Sequence, residues 1–155
     1  MQDRSLYDDN SSPTVATWST FMIAALAARE RRTVVTADIG GAYLNAGDME
    51  TLMRLDPILS DILVKLDATY EHFIDERGEI VIRLDKALYG CVQSAKLWYE
   101  HLKASLVENG FVVNPSDICV FNMGEGDDQR TICVHVDDLM ISCKVAGVIE
   151  KSLRI

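Results

Sequence analysis

Residues 131–144, TICVHVDDLMISCK, set two adjacent carboxylates inside an apolar, β-branched run, and few folds accommodate that. Successive side chains of a strand point to opposite faces, so Asp137 and Asp138 cannot both enter a core or both face one neighbour. The pattern predicts a hairpin, with strands over 131–136 and 139–143 and the Asp pair at its bend. Carboxylates held there also suit a hard divalent cation, because magnesium takes oxygen ligands and two-metal phosphoryl-transfer sites are built from them. A turn needs only the pair; a cation site needs a further carboxylate from elsewhere in the chain.

Asp38 supplies that candidate. Residues 33–39, TVVTADI, predict a short buried strand ending in Asp38-Ile39-Gly40-Gly41, where two glycines permit a tight turn before a short helix over 42–46. Upstream, Ser12 as cap and Pro13 at the first helical position predict a helix, with Val15, Trp18, Met22, Ala25 and Leu26 on its packed face. Downstream, the spacing predicts a strand over 51–55, a surface helix from 58 to 73, a turn at 75–78 and an alternating strand over 79–84. A helix over 94–109 follows, with Leu97, Trp98, His101, Leu102 and Leu106 along one side, which makes His101 a core or boundary residue. Residues 118–122 read as a strand, and residues 146–155 as the start of a last helix. The loop MGEGDDQ at 123–129 carries a second Asp pair, Asp127-Asp128, which its glycines assign to a solvated turn.

A chain of 155 residues is one domain in size. Its net charge of −9 argues against a free-standing electrostatic binder of nucleic acid, which needs clustered basic residues. Cys91, Cys119, Cys133 and Cys143 are too widely spaced for CxxC pairs and read as reduced thiols of an intracellular protein. His72, His101 and His135 lack zinc-ligand spacing, and no apolar run is long enough to span a membrane, so a soluble protein without membrane partners is expected.

TADIGGAYLN, DKALYGCVQSAKLWY and ICVHVDDLMIS, in that order and preceded by the helix-like SSPTVATWSTFMIAALAARE, resemble the reverse transcriptase domain of copia-type retrotransposons. The likeness covers nearly the whole chain. It implies an α+β fold, a polymerase palm of antiparallel sheet backed by helices with partial fingers, in one unit over 1–155. Basic finger strands, a thumb and a ribonuclease H domain would lie outside the chain. The implied activity is RNA-directed DNA synthesis from deoxynucleoside triphosphates on an RNA or DNA primer-template, with two Mg2+ ions, or Mn2+, held by Asp38 and Asp137 with Asp138 as auxiliary. The Ile39 carbonyl would contribute to a metal, Tyr43 would be the steric gate against a ribose 2′ hydroxyl, and Gln93 would contact the incoming nucleotide. Other polyprotein domains are implied as partners, and a cytoplasmic particle as the location.

Two departures from the family pattern stand in the motifs themselves: His135 replaces the usual Tyr before Val-Asp-Asp, and Gln93-Ser94-Ala95 replaces Gln-Ala-Pro. They leave an alternative, a truncated or decayed non-catalytic relic or binding domain of the same fold. A different metal-dependent phosphoryl-transfer enzyme would explain the three aspartates, but it would have no use for GGAYLN or LYGCVQ.

Overall fold

A computed structural model describes residues 12–47, 49 and 51–145. In order, the elements are α1 (Thr17–Glu30), β1 (Thr33–Asp38), α2 (Ala42–Asn45), β2 (Thr51–Leu55), α3 (Pro57–Leu66), β3 (Ile80–Leu84), α4 (Ser94–Glu108), β4 (Val112–Asn114), β5 (Asp117–Met123), β6 (Arg130–His135) and β7 (Asp138–Cys143). Short 3-10 segments cover Ala68–Phe73 and Gly126–Asp128. The fold is α+β. Five strands form one antiparallel sheet in the order β1-β7-β6-β5-β4, and β2 pairs with β3 in a separate antiparallel ribbon.

The sheet buries both faces because its central strands are apolar on both sides. One face, with Phe121, Ile132, Val134, Leu139 and Ile141, packs on Trp98, Leu102 and Leu106 of α4 and on Ala42 of α2. The opposite face, with Val120, Cys133 and Met140, packs on Ile23 of α1. All four cysteines are free; burial pushes the Cys119 thiol up to about 11 and the Cys133 thiol up to about 12, so both stay protonated.

Helix α1 begins four residues later than Pro13 suggests. Residues 12–16 run alongside the sheet instead, with the Val15 N–H donating to the Val134 carbonyl at 3.1 Å. The cap is Asp117, whose Oδ2 accepts from the Ala16 N–H at 2.9 Å and from Ser19 Oγ at 2.6 Å. A carboxylate 101 residues away thus does what Ser12 was expected to do. The packed face differs as well: Ser19, Ile23 and Ala27 are buried, while Trp18, Phe21, Met22 and Leu26 are exposed. Arg31 ends the helix in the left-handed conformation at φ 54°, its N–H and that of Arg32 reaching back to Ala28 and Ala27.

The long helix expected over 58–73 divides at Asp67. That residue's carboxylate accepts from the Thr69 N–H and hydroxyl, which starts a 3-10 turn and holds its pKa below the ordinary carboxylate range. His101 is exposed on α4, and its neighbour Tyr99 is buried instead, donating its hydroxyl to the Ile118 carbonyl at 2.8 Å. The expected helix at 146–155 lies outside the described residues.

Candidate active site

Strand β1 pairs with β7 so that Asp38 stands directly opposite Asp138, and β6 pairs with β7 so that His135 stands opposite Asp138 as well. Opposed residues share a face, so His135, Asp138 and Asp38 form a row across three strands, on the side of the sheet that carries α1. Asp38 and Asp138 are both exposed. Two like charges placed directly opposite destabilise a sheet, and this fold carries them at the end of the edge strand β1 and the start of β7. Asp137 sits in the bend between β6 and β7, and its carbonyl accepts from the Ile39 N–H at 3.0 Å, tying the turn to the end of β1.

The bend is strained. Val136 has φ 61°, a left-handed conformation that a β-branched side chain rarely adopts. What holds it is Trp98 of α4, whose Nε1–H donates to the Val136 carbonyl at 2.8 Å from a buried indole. From sequence Trp98 is only a packing residue. The signal was half visible, since a buried indole N–H needs an acceptor, but nothing local says which.

After β1 the chain turns through Gly41, at φ 66°, into α2. This brings Tyr43, half-buried, towards the bend: burial raises its hydroxyl pKa, and the Asp137 carboxylate and Tyr89 raise it further. Its phenol therefore stays neutral at ordinary pH. The ring stacks on that of Tyr89 with centroids 4.3 Å apart, a contact within LYGCVQ that the sequence did not announce. Gln93 lies just before α4, and its Nε2 donates to Thr51 Oγ1 of β2 at 2.5 Å. The Ile39 carbonyl accepts from the Ala42 N–H at 3.2 Å.

Two cavities flank the carboxylate row. One of about 480 Å³ lies on the α1 face, among Thr17, Thr20, Phe21, Thr36, His135 and Asp138. The other, about 700 Å³, lies on the α4 face among Asp38, Gly40, Asn45, Trp98, His101 and Ser105. Carboxylate oxygens suit a hard divalent cation, and three of them at one sheet end fit such an ion in kind. They are not drawn together into a finished cage: among the described residues, no group of three or more His, Cys, Asp or Glu side chains is placed to hold a metal ion. No helix of the described residues is long and apolar enough to cross a membrane.

Residues 2–154 match the family described as reverse transcriptase (RNA-dependent DNA polymerase). Among relatives, the Retrovirus-related Pol polyprotein from transposon RE2 of Arabidopsis thaliana is 26% identical over 88% of this chain and 8% of its own length. The corresponding polyprotein from transposon TNT 1-94 of Nicotiana tabacum is 27% identical over 94% of the chain and 10% of its own length. The Transposon Ty1-DR4 Gag-Pol polyprotein of Saccharomyces cerevisiae is 31% identical over 93% of the chain and 8% of its own length. The chain thus spans a tenth or less of each of these polyproteins. No solved structure matches it. On the family match and these transposon relatives, the chain belongs to the reverse transcriptase family, as a domain of the copia-type retrotransposon kind.

Proposed function

We propose that this domain serves RNA-directed DNA synthesis within a longer polyprotein, its five-stranded sheet acting as a polymerase palm and its β2–β3 ribbon with α3 as part of the fingers. The observation that carries the reading is the register that sets Asp38 opposite Asp138 with Asp137 tied to Ile39, since it unites carboxylates about a hundred residues apart. The family generally uses divalent metal ions. Asp38 and Asp137 would hold them, with Asp138 and the Ile39 carbonyl assisting. When bound, two magnesium ions supply Lewis-acid stabilisation of the charge that builds on the phosphate and favour ionisation of the primer 3′ hydroxyl.

The chain's own residues supply position. Trp98 holds the Val136 turn in the conformation that presents Asp137. Tyr43, braced by Tyr89, sets a neutral aromatic wall near Asp137 against which a ribose 2′ hydroxyl would clash. Gln93 and Thr51 form a polar pair that an incoming nucleotide would have to open or share.

A second reading, a folded domain without catalysis, is favoured by the ungathered carboxylates and by His135 in the row. Thermal melting decides between them. If the site binds magnesium, saturating it about tenfold over its dissociation constant stabilises the domain by about 1.4 kcal/mol through mass action. The expected result is a rise in melting temperature for the native chain and none for Asp38→Asn with Asp137→Asn. Equal responses in the two would support the non-catalytic domain.

A further inference from the structure

Helix α3 wears its apolar stripe on the outside. With 3.6 residues per turn, Ile58, Ile62 and Leu66 stand in one row and Leu59 lies beside it, and all four are exposed, from Ile62 at 48% to Leu66 at 81%. The side turned inward buries only Ser60, whose hydroxyl accepts from the Ile80 N–H at 3.1 Å. Farther along the same segment Phe73 and Ile74 are exposed too, and the α3 segment packs on the 3-10 turn that holds Phe73. An amphipathic helix that faces water with its apolar residues has a partner to bind.

The charge around the stripe selects that partner. Residues 54–79 hold seven Asp and Glu against Arg54, Lys65 and Arg77, with Arg54 paired to Glu79 at 2.7 Å, so the rim stays acidic by four charges. Several of these carboxylates are fixed in place: Asp56 caps α3 by accepting from the Leu59 N–H, Asp61 pairs with Lys65, and Asp75 accepts from the Arg77 and Glu79 N–H groups. A second copy of the chain would bring a second acidic rim against the first. Nucleic acid and anionic lipid are repelled for the same reason.

We propose that the outer face of α3 is a docking surface for a basic amphipathic helix, a partner segment with an apolar stripe edged by Lys and Arg. Its apolar residues would cover Ile58, Leu59, Ile62 and Leu66, in the helix-against-helix mode, while its cations face the acidic rim. Relatives ten or more times longer than the matched region, all polyproteins, offer ample chain to supply such a segment. The proposal does not depend on the polymerase reading.

Fluorescence anisotropy of the 155-residue chain with a labelled 18-residue helical peptide, carrying a Leu stripe rimmed by Lys, tests it. Saturable binding is expected, weakening at least tenfold in Ile62→Asp with Leu66→Asp and weakening again as salt rises. Both substituted positions are solvent-exposed, so circular dichroism melts of that variant should match the native chain, and binding lost without loss of fold is the supporting result. Three outcomes overturn the proposal: undiminished binding by the double variant, equal binding of a Glu-rimmed version of the peptide, or self-association of the chain that the double variant abolishes.

Discussion

Two of the chain's Asp-Asp pairs, ten residues apart, live in opposite circumstances. Asp127-Asp128 occupies a 3-10 turn between β5 and β6, with the Asp127 side chain 83% exposed and paired with Lys144, which holds its carboxyl below the ordinary range. Asp137-Asp138 occupies a strained bend pinned by a buried tryptophan, with Asp138 facing another aspartate across the sheet. The first pair has a cation of its own chain beside it. The second faces a like charge, an arrangement that costs stability unless something else supplies positive charge. Composition cannot separate the two pairs; their strand neighbours do.

The comparison breaks first at catalysis. In a polyprotein segment long enough to extend a primer, Asp137→Asn should lower nucleotide incorporation by on the order of a hundredfold or more, whereas Asp127→Asn with Asp128→Asn should leave it within about twofold. Primer-extension rates measured side by side check this; loss of activity in the loop variant would assign the wrong pair.

Tyr43 sharpens the same contrast on the substrate side. If its ring walls off the 2′ hydroxyl, Tyr43→Ala should raise the ratio of ribonucleotide to deoxynucleotide incorporation by about tenfold or more, while Tyr43→Phe leaves it unchanged. A merely structural tyrosine behaves differently: its truncation costs on the order of 3–5 kcal/mol and lowers both rates together. Incorporation ratios measured beside denaturant melts separate the two.

Asp117 marks a third use of an aspartate, as a structural cap. Burial pushes its pKa up, but the hydrogen bonds from Ser19, Ala16 and Cys119 together outweigh that and leave it lowered. A lowered carboxyl contributes stability above its unfolded pKa, about 4, and that contribution is lost as pH falls through the folded value. Asp117→Ala should therefore cost about 1–2 kcal/mol near neutrality and flatten the acid limb of the stability profile, as urea melts at several pH values would show.

The smallest expected effect concerns the bend. Val136→Gly relieves a left-handed β-branched residue, so the fold should gain about 1 kcal/mol or less after the added flexibility of the unfolded chain is counted. If the strain serves to aim Asp137, the stabilised variant should lose activity. Unchanged activity would make the strain incidental.

Where neighbours in sequence determine the outcome, the structure could be read in advance. The β6–β7 hairpin, the alternating β3 and most of α4 follow from β-branched runs, period-two alternation and helical spacing, and so does the existence of β1, although it is an edge strand with every second residue exposed and not the buried strand its run suggests. The solvated character of Asp127-Asp128 followed from its glycines. What escaped was decided at a distance. Ser12 and Pro13 carry the right chemistry for a helix start, yet Asp117 competes from across the fold and satisfies the Ala16 N–H instead. The inward face of α1 was misread because Trp18, Phe21, Met22 and Leu26 exceed Ser19, Ile23 and Ala27 in apolar bulk, yet it is the latter row that lies against the sheet, with Ile23 packed on Val120 and Cys133. At the site, Asp38, Asp137 and Asp138 were legible as candidates, whereas Trp98 and Tyr89 act through partners that no local pattern identifies.

The pairing of β1 with β7 also has a consequence in time. It joins residues at opposite ends of the described chain, so the row containing Asp38 and Asp138 closes a loop of about a hundred residues. Contacts of such long sequence separation form late, because the entropy of closing the loop is lost before the contact rewards it. At a synthesis rate of roughly 5–20 residues per second, β1 leaves the ribosome on the order of 5–20 s before its partner exists. Throughout that interval Val34, Val35 and Ala37 belong to a strand without a sheet. A nascent chain with this topology carries an unpaired, adhesive segment until β7 arrives, which makes translation speed and chaperone occupancy over residues 33–38 determinants of how much of the product ever acquires its carboxylate row.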